Sequence, residues 1–297
     1  MHRGITYRYI VAVLAGILLL LPTTSFAASI YIESAAGPVS VGDTVVLRVY
    51  ADTDAASANA VDGTIALAPA PSAFTIQAIT LAGSVLTLWP HEPSVSQSGK
   101  SISFTGGVPG GFSGTHQLLF SVAVTPKVAG TISFTPASAS LYLNDGKGTA
   151  VHLSPKPFSF TVVPPQAGVT PRNEWQAVVS GDTTPPEPFT IAKAQDPSVY
   201  DNKKYIYFQT TDAQSGIDHY EVKEGDAAPV VSGTTYVLND QAGPVSVTVY
   251  AYDKAGNVRV STYTQGNKSP GVLSLPVLGI LVVLLCIYIV WRLKRHS

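Results

Sequence analysis

Apolar and polar residues alternate with a period of two along most of this chain. Ile30 and Ile32 alternate with Ser29, Tyr31 and Glu33, and Val61, Gly63, Ile65 and Leu67 alternate with Asp62, Thr64, Ala66 and Ala68. Such alternation puts one set of side chains on each face of a strand. Together with Thr44–Ala51, Thr75–Ala82, Ser101–Thr105, Gln117–Val124, Thr131–Phe134, Ser138–Leu143 and Phe158–Val163, it predicts about nine strands between Ala28 and Val163. Gly, Pro and Asn-Asp-Gly turns separate them, and no stretch keeps a helical period. A second series follows: Lys204–Thr211, Tyr220–Glu224, Tyr236–Leu238, the alternating Val245, Val247 and Val249, and Val258–Tyr263 after the Gly256-Asn257 turn. The expected fold class is all-β, with one sandwich over 28–165 and a smaller one over 184–266.

Between them, Pro164-Pro165, Pro171, Pro185-Pro186 and Pro188 bracket a segment of weak periodicity. Proline pairs favour extended geometry, so 166–183 reads as a semi-rigid spacer. Trp175 within it is either a docking anchor or a residue resting on the surface. Two apolar runs bracket the whole. Arg3 and Arg8 precede Ile10–Leu21, Pro22 and the small residues of Ser25-Phe26-Ala27, a pattern expected of a signal peptide over 1–27. Leu273–Trp291 is uncharged and, at ~1.5 Å per residue, would reach about 28 Å as a helix, close to the ~30 Å hydrocarbon core. Arg292, Lys294 and Arg295 follow it, so the expectation is a single-pass membrane protein. Its body lies outside on a short stalk over 267–272, with a cytoplasmic tail over 292–297. Cys286, the one cysteine, falls in that run, so no disulfide can staple the body.

Charge and chemistry narrow the function. Five of the 18 basic residues (Arg3, Arg8, Arg292, Lys294, Arg295) lie in the terminal segments, which leaves 13 against 19 acidic groups in the body. A nucleic-acid partner is not expected, since phosphate binding needs a basic face. His91, His116, His152 and His219 are scattered without metal-ligand spacing, and no G-x-S-x-G elbow occurs. Glycosidase chemistry needs two carboxylates across a cleft. Asp52, Asp54, Asp62, Glu92 and Asp145 are available in number, but they read as turn and solvent-face residues. Asp212, Asp218 and Asp253 are loop carboxylates suited to Ca²⁺, with turn capping as the alternative. The candidate ligand-binding residues are Trp89, His91 and Glu92 in a Pro-bounded loop, and Phe112 at the end of the Gly106–Gly111 stretch. Trp89 either stacks on a sugar ring or anchors a partner, or it plugs the end of the sandwich.

Four segments in order, Val41-Gly42-Asp43-Thr44, Ala58-Asn59-Ala60-Val61-Asp62-Gly63-Thr64-Ile65, Gly130-Thr131-Ile132-Ser133-Phe134 and Leu143-Asn144-Asp145-Gly146, resemble the cohesin family across nearly all of 29–163. That resemblance implies a nine-stranded jelly-roll sandwich that docks a protein partner, such as the dockerin modules of polysaccharide-degrading enzymes. Leu86–Pro93 lies outside the matched pattern. In the second domain, Asp182-Thr183-Thr184-Pro185-Pro186, Asp212-Ala213-Gln214-Ser215-Gly216-Ile217 and Ala251-Tyr252-Asp253-Lys254-Ala255-Gly256-Asn257 resemble the bacterial Ig-like repeats of surface proteins, which implies a spacer or adhesion module. Leu275-Pro276-Val277-Leu278-Gly279 is similar to a sortase signal, but Leu278 replaces the threonine that such a signal needs. The expectation is therefore a non-enzymatic, membrane-held surface protein that binds a protein partner (dockerin-like) or a polysaccharide. A purely structural envelope spacer is the alternative, and a polysaccharide-active enzyme is the remaining reading.

Overall fold

The structure, a computed structural model, describes residues 28–264 apart from 35–36, 55 and 243–245. The segments read as signal peptide (1–27), stalk (267–272), membrane helix (273–291) and tail (292–297) lie outside the described residues. Among the described residues no helix is long and apolar enough to cross a membrane. The chain divides into two compact units. One holds the described residues up to Glu187 together with Thr211–Asp218 and Tyr252–Asn257. The other holds Pro188–Thr210, His219–Ala251 and the described residues from Val258.

Twelve strands build the first unit: β1 Ser29–Ser34, β2 Val39–Ser40, β3 Val45–Asp52, β4 Ala58–Ala68, β5 Phe74–Thr80, β6 Leu88–Val95, β7 Ser101–Phe112, β8 Gln117–Pro126, β9 Gly130–Leu143, β10 Ala150–His152, β11 Ser154–Pro155 and β12 Phe158–Val163. They form a β-sandwich. One sheet runs β11-β1-β3-β8-β5 and the other β2-β12-β9-β4-β7-β6, with β10 paired to β9. Thr131–Phe134 and Ser138–Leu143, read as two strands, are the single long β9, which keeps pairing with β4 through an irregularity at Thr64/Ile65.

The alternating positions meet between the sheets. Ile30, Leu47, Val49, Leu119, Phe120 and Val122 from one sheet face Val61, Ile65, Ile102, Phe104, Ile132, Phe134 and Leu141 from the other. Phe104 and Phe120 meet edge to face at 4.9 Å, so an aromatic pair spans the two sheets near the centre of the core. Gly63 makes that possible, because a Cβ there would lie 2.8 Å from the Phe104 ring.

Two departures from the sequence reading matter for function. The Pro-bounded segment that holds Trp89, His91 and Glu92, read as a loop, lies in edge strand β6. Pro90 and Pro93 lack the N–H that an inner strand would need, and an edge strand leaves one row of donors unpaired anyway. The β6–β7 register slips between Leu88, His91 and Ser94, at the two prolines. The spacer also ends in a helix, α1 Glu174–Gly181. Asn173 caps it, its side chain accepting from the Gln176 N–H at 2.8 Å. The helix is fastened to the sandwich. Asp43 accepts from Ser40 N–H (2.8 Å) and Arg172 N–H (2.9 Å), Glu174 Oε2 accepts from Val46 N–H (2.9 Å), and Glu174 N–H donates to the Thr44 carbonyl (3.0 Å). The second half of 166–183 is thus an ordered part of the first unit. Trp175 sits half-buried on α1.

The smaller body has β13 Ala192–Gln195, β14 Lys204–Tyr207, β15 Ile217–Glu224, β16 Val230–Ser232, β17 Thr235–Val237, β18 Ser246–Asp253 and β19 Val258–Thr264. They pair as β13-β14-β17 and β16-β15-β18-β19. Ile206, Phe208, Tyr220, Val222, Leu238, Val247, Val249 and Ala251 are buried. The Val247/Val249 alternation is the inward face of β18, as its period requires.

Candidate binding surface

Because β4, β7 and β9 bury every second residue against the core, the intervening residues form the outer face of the larger sheet. Register places them in rows. His91, Thr105, Asp62, Ser140 and His152 lie opposite one another across β6, β7, β4, β9 and β10. Ser94, Ser103, Thr64 and Ser138 form the next row. Five strands at ~4.8 Å spacing make the longer row about 19 Å wide. The five strands contain no Lys or Arg.

Local hydrogen bonds hold these side chains in place. His91 Nε2 lies 3.2 Å from the hydroxyls of both Ser103 and Ser94, His152 Nδ1 lies 3.4 Å from Ser140 Oγ, and Tyr142 OH donates to Asp62 Oδ2 at 3.1 Å. The Asp62 carboxylate and burial together raise Tyr142, with the Asp62 hydrogen bond the largest cause. At one end a groove of about 310 Å³ is lined by Asn59, Ala60, Leu88, Pro90 and residues 105–110. Leu88 stands 47% exposed at its rim.

The structure sorts the expected site residues. His91 and Glu92 are exposed on β6, and His91 belongs to the row. Trp89 is half-buried and packs against the core, its ring lying over Gly106, where a Cβ would come within 2.8 Å of it. It fills the sandwich. Phe112 is 7% exposed within the core cluster and offers no ring to a ligand, which removes it from the candidate surface. It lies past a register slip in β7 and pairs with the buried Ala58 of β4, which turns its ring inward. Sequence reading missed Asp62, Thr64, Ser103, Thr105, Ser140 and His152 as a set. They are the polar half of the alternation already visible, but only the register brings them together.

Asp145 caps its own turn, accepting from Lys147 N–H and Thr149 Oγ1, and the Thr149 bond chiefly holds its carboxyl below the usual range. Asp52 accepts from Tyr31 OH (3.0 Å) and His116 N–H (2.7 Å). A ring cluster forms there, with Tyr50 stacked on His116 at 3.9 Å and Lys156 Nζ over Tyr31 at 4.9 Å. Burial first, then the Asp52 hydrogen bond, pushes Tyr31 up to about 12 from 10.0. A raised folded-state value favours the protonated phenol. The stabilisation it brings is complete below the unfolded value near 10 and lost as pH rises through about 12. Urea midpoints are therefore expected to fall between pH about 9 and about 11.5, and to fall less in Tyr31→Phe. An equal fall in both proteins would place the loss elsewhere.

Of the carboxylates assigned to calcium, Asp212 and Asp253 do come together, but with Asp182 rather than Asp218. One oxygen from each lies within 4.8 Å of the others, and the three residues are 5%, 3% and 2% exposed (Asp182, Asp212, Asp253). All three belong to the first compact unit. Asp182 accepts from Thr184 and Ser215 N–H groups at 3.0 Å each, Asp212 Oδ1 from Gln214 and Gly216, and Asp253 Oδ1 from Ala255 and Asn257. Burial pushes the Asp182 carboxyl up, but the hydrogen-bond donors around it, Ser215 first, outweigh burial and leave it below the usual range. Asp182 opens the first of the three quoted Ig-like motifs, so the signal was present in the sequence.

No protein-family model matches the chain, and no curated protein sequence matches it. Solved structures to which the chain is similar include a cohesin module of a Clostridium perfringens family 33 glycoside hydrolase. It is 13% identical with a TM-score of 0.40, over 48% of this chain and 100% of that one. A non-cellulosomal cohesin from the hyperthermophilic archaeon Archaeoglobus fulgidus is 16% identical with a TM-score of 0.36, over 46% and 91%. A type I cohesin–dockerin complex from Clostridium thermocellum matches at 12% identity and a TM-score of 0.38, over 48% and 99%.

Proposed function

We propose that the first unit is a non-catalytic docking module that receives a dockerin-like protein partner on the outer face of the β6-β7-β4-β9-β10 sheet. The supporting observation is that face itself. It is broad and rich in hydroxyls, holds Asp62 and Glu92, and has no Lys or Arg on any of its five strands. Such a surface complements a neutral-to-basic protein face and repels a polyanion. A sugar-stacking role has less support, since Trp89 rests on the core and Phe112 is inside it. The three carboxylates that converge among the described residues are buried, so they lend no support to a reading in which they act on a polymer. In this reading the smaller body and the apolar segment 273–291 hold the module outside a membrane.

Thr64 and Ser103 pair at the middle of the face. An arginine at Thr64 puts a bulky charge into any complex made there while leaving the core-facing positions untouched. Calorimetric titration of the full chain against calcium-loaded dockerin modules and soluble polysaccharides is the test. Binding to a dockerin that Thr64→Arg weakens at least about thirtyfold supports the proposal. Binding to glycans alone, or dockerin binding indifferent to Thr64→Arg, overturns it.

A further inference from the structure

We propose that the smaller body rests on a lipid surface through the end from which the chain leaves it, with Val199 and Tyr200 as the residues that enter the headgroup layer. The inference rests on the reading in which 273–291 crosses a bilayer, and it adds a contact that this segment does not itself make.

Strand directions locate that end. In the β18–β19 hairpin Asp253 N–H donates to the Asn257 carbonyl, and Thr248 Oγ1 lies 3.4 Å from Thr262 Oγ1. Continued to the end of β19, that register sets Thr264 opposite Ser246. Gly225 N–H donates to the Ser246 carbonyl at 2.8 Å, so the turn after β15 is at this end too. Glu224 accepts from the N–H groups of Asn239 and Asp240, and Gln241 Oε1 accepts from Lys204 N–H, which adds the start of β14. Gln195 pairs with Lys204, so the β13–β14 loop, 196–203, projects from the same end as Thr264.

This loop is exposed throughout, with Val199 at 40% and Tyr200 at 46%. Val230 and Val231, 47% and 72% exposed, follow the 225–229 turn at that end. The tip is ordered. Tyr200, Asp201 and Asn202 all take left-handed backbone (φ 53°, 53° and 60°), which residues other than glycine rarely adopt. Asn202 N–H donates to the Val199 carbonyl (3.2 Å), Lys203 N–H to the Tyr200 carbonyl (3.0 Å) and Gln195 Nε2 to the Asn202 carbonyl (2.8 Å). The Tyr200 ring meets Tyr205 edge to face at 5.0 Å. Strained backbone persists only where its surroundings enforce it, and here it keeps a tyrosine on the outside.

What covers the tip follows from the chain beyond it. Eight residues, 265–272, join Thr264 to the apolar segment, and fully extended they reach roughly 28 Å. The end that carries Val199 and Tyr200 therefore stays within that reach of the bilayer. Tyrosine favours the headgroup level, where its ring meets lipid and its hydroxyl stays wet. So short a tether gives the loop a local lipid concentration at which even a weak contact is occupied. Charge selects the lipid. Asp196, Asp201, Asp226 and Asp240 are exposed at this end with Lys203, so a zwitterionic surface suits it and an anionic one repels it.

The test uses the full chain in phosphatidylcholine nanodiscs that carry one copy each. A fluorophore on a single cysteine is quenched by lipids spin-labelled in the acyl chain or at the headgroup. Cys286, the one native cysteine, reports on the apolar segment. Val199→Cys and Val260→Cys, each with Cys286→Ser, report on the loop and on a comparably exposed site further along β19. Headgroup quenching at 199 is expected to be at least about fivefold stronger than at 260, and to fall at least about threefold with Tyr200→Asp. Added anionic lipid should weaken it. Absence of acyl-chain quenching at Cys286 would overturn the membrane anchor and this contact together. Quenching at Cys286 with 199 no stronger than 260, or unmoved by Tyr200→Asp, would overturn the contact alone. Protection of 199 from aqueous iodide without quenching by lipid would do the same, since it marks a protein cover such as a second copy.

Discussion

Phe104→Ala is expected to lower the stability of the first unit by about 3–5 kcal/mol, the range for emptying a buried aromatic site. Phe104 is fully buried, meets Phe120 of the opposing sheet edge to face, and covers Gly63 on the neighbouring strand. Its removal opens a void between two sheets that are each held by their own ladders. The backbone around it therefore has little freedom to collapse into the space. A domain stable by only ~5–15 kcal/mol would lose a large share of its margin. Urea unfolding followed by tryptophan fluorescence would read this as a lower midpoint with an unchanged slope. A midpoint within error of the parent would mean that the Phe104–Phe120 contact does not carry the core.

Asp43→Ala is expected to cost about 2–3 kcal/mol, because it removes two charge-assisted hydrogen bonds and leaves their part-buried donors without the carboxylate. Asp43 is 7% exposed and joins two distant pieces of chain, Ser40 N–H in its own turn and Arg172 N–H just before α1. Its loss should free the segment that leads into the helix. Limited proteolysis is expected to cut 166–181 faster in the variant, while Glu174 still holds Val46 N–H at 2.9 Å. Faster cutting with no change in the urea midpoint would separate the tether from the stability of the sandwich. Unchanged cutting would show that Asp43 is not what fastens the helix.

The strands were legible because their cause is local. Period-two alternation in β4 and β18 follows from a pleated chain with one face buried, whereas β3 and β8 are apolar runs buried almost throughout, and all four lie within a few residues of where the pattern puts them. Edge strand β6 was not legible. Its prolines argue for a loop in any reading that does not know which strands lie at a sheet edge. Helix α1 was missed for another reason. It is 8 residues long with no residue fully buried, too short and too exposed to show a period. The Asn173–Gln176 spacing at its start was its one local signal.

The site divides in the same way. Asp212 and Asp253 could be picked out as loop carboxylates, but the choice of Asp182 over Asp218 depends on which loops converge. The outer-face residues of β4, β7 and β9 were visible one strand at a time.

By itself, then, the amino-acid pattern determined the class of this protein: pleated modules without disulfides, acidic in their body, whose inward and outward residues are set by alternation and whose turns are set by Gly, Pro, Asn and Asp. Only the tertiary structure decided which outward residues share a face, which aromatic rings are lost to the core, and which carboxylates meet. Alternation is a property of neighbours along the chain, whereas strand order, register and loop convergence arise between residues tens of positions apart. Their energies come from burial and hydrogen bonds that no local window contains.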